Sequence, residues 1–264
     1  MFARTWSAVL RLRVTLAYAA TLVTIASTLV LLGPQVQDNV IRHMSTNLHN
    51  LGQGHIGTLI GSAFVTTNGP IWVWLPGLMC LLALAELFWR GGRVVWTFTV
   101  GHIGATLVVA VAMVAAVDFG WLPISVARAS DVGISYGAAA ILGALTAAVP
   151  VRWRAAWIGW WLSVGLLVAC VAAEFTDAGH VVALGLGMVL SLRFKGLVQW
   201  TGVRVGLFVV GVAFGYMVLV NAGPSVVMGP IVGTVGALAV HWGARRWRAG
   251  RRHPAVPVPV AVSV

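Results

Sequence analysis

The residues able to do chemistry in this chain are few, and two of them open apolar runs in the same way. Gly133-Ile134-Ser135-Tyr136-Gly137 begins one run and Asp177-Ala178-Gly179-His180 begins another. If both runs are helices entered from the same side of a membrane, Ser135 and His180 lie at matching depth and can face each other. A serine hydroxyl becomes a useful nucleophile only with a base within hydrogen-bond reach, and neutral imidazole is the usual one. Gly133, Gly137 and Gly143 on the first run, with Gly179, Gly185 and Gly187 on the second, permit the close helix approach that such a bond needs. The pattern is suggestive rather than specific, because Ser and Gly are common in membrane helices.

Other polar residues within apolar runs are Glu86, His102, Asn221 and His241. Such residues are costly in a membrane and raise a functional question by default. Glu86 is expected to pair with Arg90 or Arg93, and His102, between Gly101 and Gly104, to hydrogen-bond to a neighbouring helix. His43, His49 and His55 share one loop without a Cys or acid cluster, so no zinc site is expected there, and no other metal or cofactor is implied. Cys80 and Cys170 fall in apolar runs, where free thiols behave as small hydrophobic side chains.

The elements that must position Ser135 and His180 follow from composition. Of 264 residues, 59% are hydrophobic and 9% charged, against roughly a quarter charged in a soluble domain. The chain is therefore read as an all-α, polytopic transmembrane helical bundle. Its apolar runs are long enough to cross a hydrocarbon core of about 30 Å. The segments are 14–32, 70–89, 94–116, 132–149, 155–173, 178–192, 205–221 and 225–243, with seven spans or a re-entrant piece as the alternative count. Residues 1–13 form a cytoplasmic amino terminus and 14–200 a membrane core with a long outer loop at 33–69. Residues 201–244 add a transmembrane hairpin, and 245–264 a basic, Pro- and Val-rich cytoplasmic tail.

Orientation comes from the cations. With the amino terminus inside, all but Arg42 and Arg128 of the 17 Lys and Arg residues fall on the inner side, as expected where Lys and Arg near span ends set topology. Both termini are thus expected inside, in the plasma (inner) membrane. The net charge of +11 sits in short clusters beside apolar runs, which points to anionic lipid at the cytoplasmic face and away from nucleic acid.

At this point the arrangement resembles the rhomboid family of intramembrane serine proteases, from about residue 14 to 192. A long outer loop follows the first span, Glu86 with Gly91 and Gly92 follows the second, and a serine motif opens the fourth. A histidine opens the sixth. The run Ala138-Ala139-Ala140-Ile141-Leu142-Gly143-Ala144 is similar to the family's small-residue helix behind its nucleophile, Gly187 to a helix-packing glycine, and Asp177 to an acid that often precedes the family histidine.

The resemblance implies a six-helix core plus about two extra helices, with Ser135 attacking a scissile carbonyl and His180 as base and then acid, supported by Gly133 and Asp177. The substrate or client would be a helix of another membrane protein, cut in or beside its transmembrane segment. Two positions depart from the family pattern. Tyr136 stands where glycine usually follows the serine, and Pro70 and Trp74 fall near the places of the His and Asn oxyanion donors. Asn68 and Thr67 are the nearby substitutes. A catalytically inactive rhomboid-like protein that binds transmembrane helices is the alternative. A small transporter is disfavoured, because few polar residues line any path and no inverted repeat is visible.

Overall fold

The structure is a computed structural model and describes residues 10–66, 69–172, 174–194, 198–220 and 223–250. Among these residues only helices and turns form. Helix α1 (Arg13–Leu32) is a continuous apolar run that ends at Gly33, whose φ of 90° few other residues adopt. Pro34 opens α2 (Pro34–Met44), a position where its missing N–H costs nothing. The outer segment continues through α3 (Leu48–Gly52), capped by the Asn47 side chain accepting from Asn50 N at 2.9 Å, and α4 (Thr58–Gly61).

Helices α5 (Ile71–Trp89) and α6 (Gly91–Asp118) are separated by Arg90 alone, at a φ of 70°. Then come α7 (Ser135–Ala144), α8 (Val151–Ala172), α9 (Phe175–Ser191), α10 (Gly202–Leu219) and α11 (Ser225–Gly250). Six helices, α1, α5, α6, α8, α10 and α11, are long and apolar enough to cross a membrane, whereas α7 and α9 are shorter apolar helices. All eight expected segments are therefore helical, but two are shorter than a full crossing.

The reason for the shortness of α7 is its surroundings. Every residue from Tyr136 to Ala144 is buried, so α7 meets other helices rather than lipid and need not match the bilayer thickness. It lies against α6 and α9 at backbone distance. A Cβ at Gly101 of α6 would overlap that of Ala140, and Cβ atoms at Gly143 and Gly187 would overlap the carbonyls of Leu184 and Ala140. Small residues let helices approach this closely where lipid offers no hydrophobic drive.

The last two helices complete the bundle. Helix α10 runs beside α5, with Phe214 packed over Gly77 and Gly211 against Leu81, and it meets α7 where Leu142 reaches Gly215. Leu219 lies beside Gly165 of α8, so α10 bridges α5 and α8 in front of α7. Arg204 fastens its start by donating from Nη2 to Leu87 O at 3.2 Å. Helix α11 lies along α8 through Gly236 against Gly159 and Ser163.

Glu86 does not take up the expected pairing with Arg90 or Arg93. Its buried carboxylate accepts from Val14 N at 3.0 Å, Thr15 N at 2.9 Å and Thr15 Oγ1 at 2.8 Å. The first N–H groups of a helix lack intrahelical acceptors and carry the positive end of its dipole. A carboxylate from α5 therefore satisfies the start of α1 better than an exposed arginine would satisfy the carboxylate.

Candidate functional site

Ser135 is the first residue of α7 and is half-buried. The turn that delivers it needs glycine, since Gly133 has a φ of 129°, and the Gly133 N–H donates to Ser62 O of the outer segment at 2.9 Å. His180 sits in the second turn of α9 and is buried. Since α7 and α9 pack directly on each other, the two sequence motifs are brought to one end of one helix pair.

The side chain that meets the His180 ring is Tyr136. The two rings stand edge to face, with centroids 5.2 Å apart and planes at 78°. Tyr136 also lies over Gly179, where any Cβ would overlap its ring. Neither ring nitrogen of His180 has a hydrogen-bond partner, so the Ser135 hydroxyl does not donate to it in this structure. Asp177 Oδ1 lies 3.8 Å from His180 Nδ1. Both Asp177 oxygens and the Tyr136 hydroxyl are buried without hydrogen-bond partners as well. Unsatisfied buried polar groups are rare in folded proteins and call for an explanation. Three of them converging at the start of α7 and α9 set this corner apart from the rest of the bundle.

Asp131, in the loop before α7, borders the same corner. Burial pushes its carboxyl up from an ordinary 3.8 to about 6, and the nearby Tyr136 hydroxyl, short of hydrogen-bond geometry, opposes part of that rise. The backbone of Asp131 holds the outer segment, accepting from Thr46 N at 2.8 Å and donating to Ser45 Oγ at 2.8 Å.

The expected oxyanion positions offer little. Pro70 forms the N-cap of α5, and Trp74 Nε1 is buried without a partner. The substitutes Asn68 and Thr67 lie outside the described residues.

A serine and a histidine do share a hydrogen bond elsewhere. Ser62 Oγ lies 3.0 Å from His102 Nε2, and both side chains are buried. Thr46 Oγ1 contacts Ser62 Oγ at 2.8 Å and Thr58 O at 2.9 Å. The carbonyl can only accept, so the single Thr46 proton goes to it, the Ser62 proton goes to Thr46, and His102 Nε2–H donates to Ser62. His102 is thus a donor here and not a base, and the chain of bonds docks the outer segment on α6. The sequence drew attention to His102 but expected its partner on a neighbouring helix; nothing in the pattern around Ser62 or Thr46 pointed to them.

Against known proteins, residues 9–200 match the family described as rhomboid-like protein. No curated protein and no solved structure matches the chain. Helices α10 and α11 lie beyond the matched stretch, which nonetheless spans most of the 264 residues. With its apolar crossing helices, a buried central helix opened by Gly133 and Ser135, and this match, the chain is an integral multi-pass membrane protein that belongs to the rhomboid-like protein family.

Proposed function

We propose that this chain acts as a non-hydrolysing rhomboid-like protein that binds transmembrane helices of other membrane proteins. The observation that carries this reading is the edge-to-face contact of Tyr136 with His180. It occupies the space over Gly179 and leaves the imidazole without a serine partner. Pro70, which has no N–H to donate, points the same way, since losing one oxyanion donor typically costs about 10²–10³ in rate.

A groove of about 430 Å³ between α1, the outer segment and α6, walled largely by Tyr18, Leu59, Phe64, Phe98 and Ile103, suits the apolar side chains of a client helix. Both termini lie on the inner side of the plasma membrane in this reading, supported by the distribution of Lys and Arg.

A second reading has a specific observation in its favour. Ser135 and His180 begin two directly packed helices, and Asp177 stands 3.8 Å from the imidazole. Intramembrane proteolysis by this pair would need Tyr136 to swing away, after which Ser135 Oγ would attack the carbonyl and His180 would take its proton. First-turn N–H groups of α7 would then face the oxyanion.

The two readings separate on labelling of the detergent-solubilised protein with a fluorophosphonate serine probe. No labelling of the wild-type chain is expected. Labelling that disappears in both Ser135→Ala and His180→Ala would establish the hydrolase instead.

A further inference from the structure

At the end of the bundle where α8 begins and α11 finishes, five arginines gather, and they are not equivalent. Arg154 is engaged, donating from Nε to Val149 O at 2.9 Å and from Nη2 to Ala147 O at 2.8 Å. Arg246 lies on its own helix over the Trp242 ring, 3.6 Å from the centroid. Arg152, whose guanidinium also lies over the Trp153 ring 6.0 Å from the centroid, lines one cavity of about 320 Å³ between the two helices with Arg245 and Arg248.

No carboxylate answers these three charges among the described residues. Glu86 is spent on the start of α1, and the remaining acids, Asp38, Asp118, Asp131, Glu174 and Asp177, belong to segments at the opposite ends of the helices. All three are exposed, so solvent and salt screen their mutual repulsion, and an anion seated between them would meet a locally positive field. His241 stands at the same hollow, its ring stacked on Trp153 at 5.8 Å and its Nδ1 buried without a partner.

The chemistry of the walls narrows the anion. Guanidinium groups match phosphate oxygens in a bidentate fork. The rest of the lining is apolar, from Trp153, Ala155 and Ala244, and a second hollow beginning at His241 and Arg245 continues along Leu238, Ala239, Trp242 and Ala249, with Arg246 at its edge. A cationic floor opening onto an apolar flank fits an amphiphile better than a free ion, and basic pockets between helices at a membrane interface take lipid head groups.

We propose that the α8–α11 foot is a binding site for one anionic phospholipid, its phosphodiester held by Arg152, Arg245 and Arg248 and its acyl chain lying along the Leu238–Trp242 side of α11. The site joins a residue at the start of α8, the fourth helix long enough to cross, to residues almost a hundred positions later, so it exists only when α11 is seated on α8.

The test uses the full chain purified in dodecyl maltoside. Native mass spectrometry with added dioleoyl phosphatidylglycerol, dioleoyl phosphatidylcholine or inorganic phosphate reads the adducts, and thermal melting reads their effect. Wild type is expected to retain phosphatidylglycerol at least tenfold better than phosphatidylcholine. Arg152→Gln/Arg245→Gln/Arg248→Gln is expected to lose that preference, while Arg42→Gln/Arg128→Gln keeps it. The exposed single variant Arg248→Gln, melting like wild type without lipid, is expected to weaken retention severalfold and guards against misfolding of the triple variant. The proposal is overturned by equal retention in the wild-type and triple variant proteins, by an equal loss in Arg42→Gln/Arg128→Gln, or by no preference for phosphatidylglycerol. It is likewise overturned if inorganic phosphate alone reproduces the stabilisation, which would make the occupant a free ion.

Discussion

His102 Nε2 lies 3.0 Å from Ser62 Oγ, a Ser–His hydrogen bond that fastens the outer segment to α6 and leaves the histidine acting as donor. Breaking it strands buried polar groups, which typically costs about 1–3 kcal/mol. Ser62→Ala and His102→Phe are each expected to lower the melting temperature in detergent and to expose the segment around residues 45–62 to limited proteolysis. Neither should change fluorophosphonate labelling. A melting curve and cleavage pattern identical to wild type would contradict the clasp.

Glu86 closes the start of α1 from the neighbouring helix. Helix capping contributes about 0.5–2 kcal/mol, and the buried setting should place this cap at the upper end. Glu86→Ala is expected to destabilise more than Glu86→Gln, because the amide oxygen can still accept from Thr15. Arg90→Ala and Arg93→Ala should have little effect on stability, the opposite of what a Glu86–Arg pair would give. Urea or thermal unfolding of the four variants decides between the two.

Asp131 has a carboxyl pushed up to about 6 from 3.8. The folded state therefore binds this proton more tightly than the unfolded one, so stability is greatest below the ordinary value and falls as pH rises from there through about 6. Melting temperature should decline from pH 4.5 to 7.5 in the wild type relative to Asp131→Asn, where this contribution is absent. Parallel pH profiles would refute the assignment.

Tyr136 fills the space over Gly179 and abuts His180. Tyr136→Gly removes a buried aromatic ring, and large-to-small changes of that kind cost about 3–5 kcal/mol. A marked drop in melting temperature is therefore expected, whereas Tyr136→Phe, which also removes an unsatisfied hydroxyl, should be neutral or stabilising. If Tyr136→Gly folds and gains fluorophosphonate labelling at Ser135, the ring is what blocks the serine in the proposed non-hydrolysing reading; a folded variant that stays unlabelled contradicts that role.

The helices were legible from sequence because apolar length is a local property. Runs such as Val14–Leu32 declare a helix without reference to the rest of the chain. Relations across the bundle were less legible. Glu86 had nearby arginines in sequence, but the acceptor-hungry start of α1 lies over seventy residues away and no spacing rule connects them. Ser135 and His180 were placed on the right helix ends, since depth follows from chain position. Which side chain of α7 actually meets the imidazole depends on helix rotation, and Tyr136 took that place. Ser62 and Thr46 sit in the outer segment with no motif to mark either, so only tertiary contact reveals their roles.

The seat of α10 against α5, α7 and α8 also fixes an order of events during synthesis. The central helix is finished by residue 144, but the flank where Leu142 meets Gly215 is sealed only after residue 219 has been made. At about 5–20 residues per second, the growing chain carries an open side facing the bilayer for roughly 4–15 s. During that interval lipid, an insertion factor or a neighbouring nascent helix has access to a surface that the mature protein never presents.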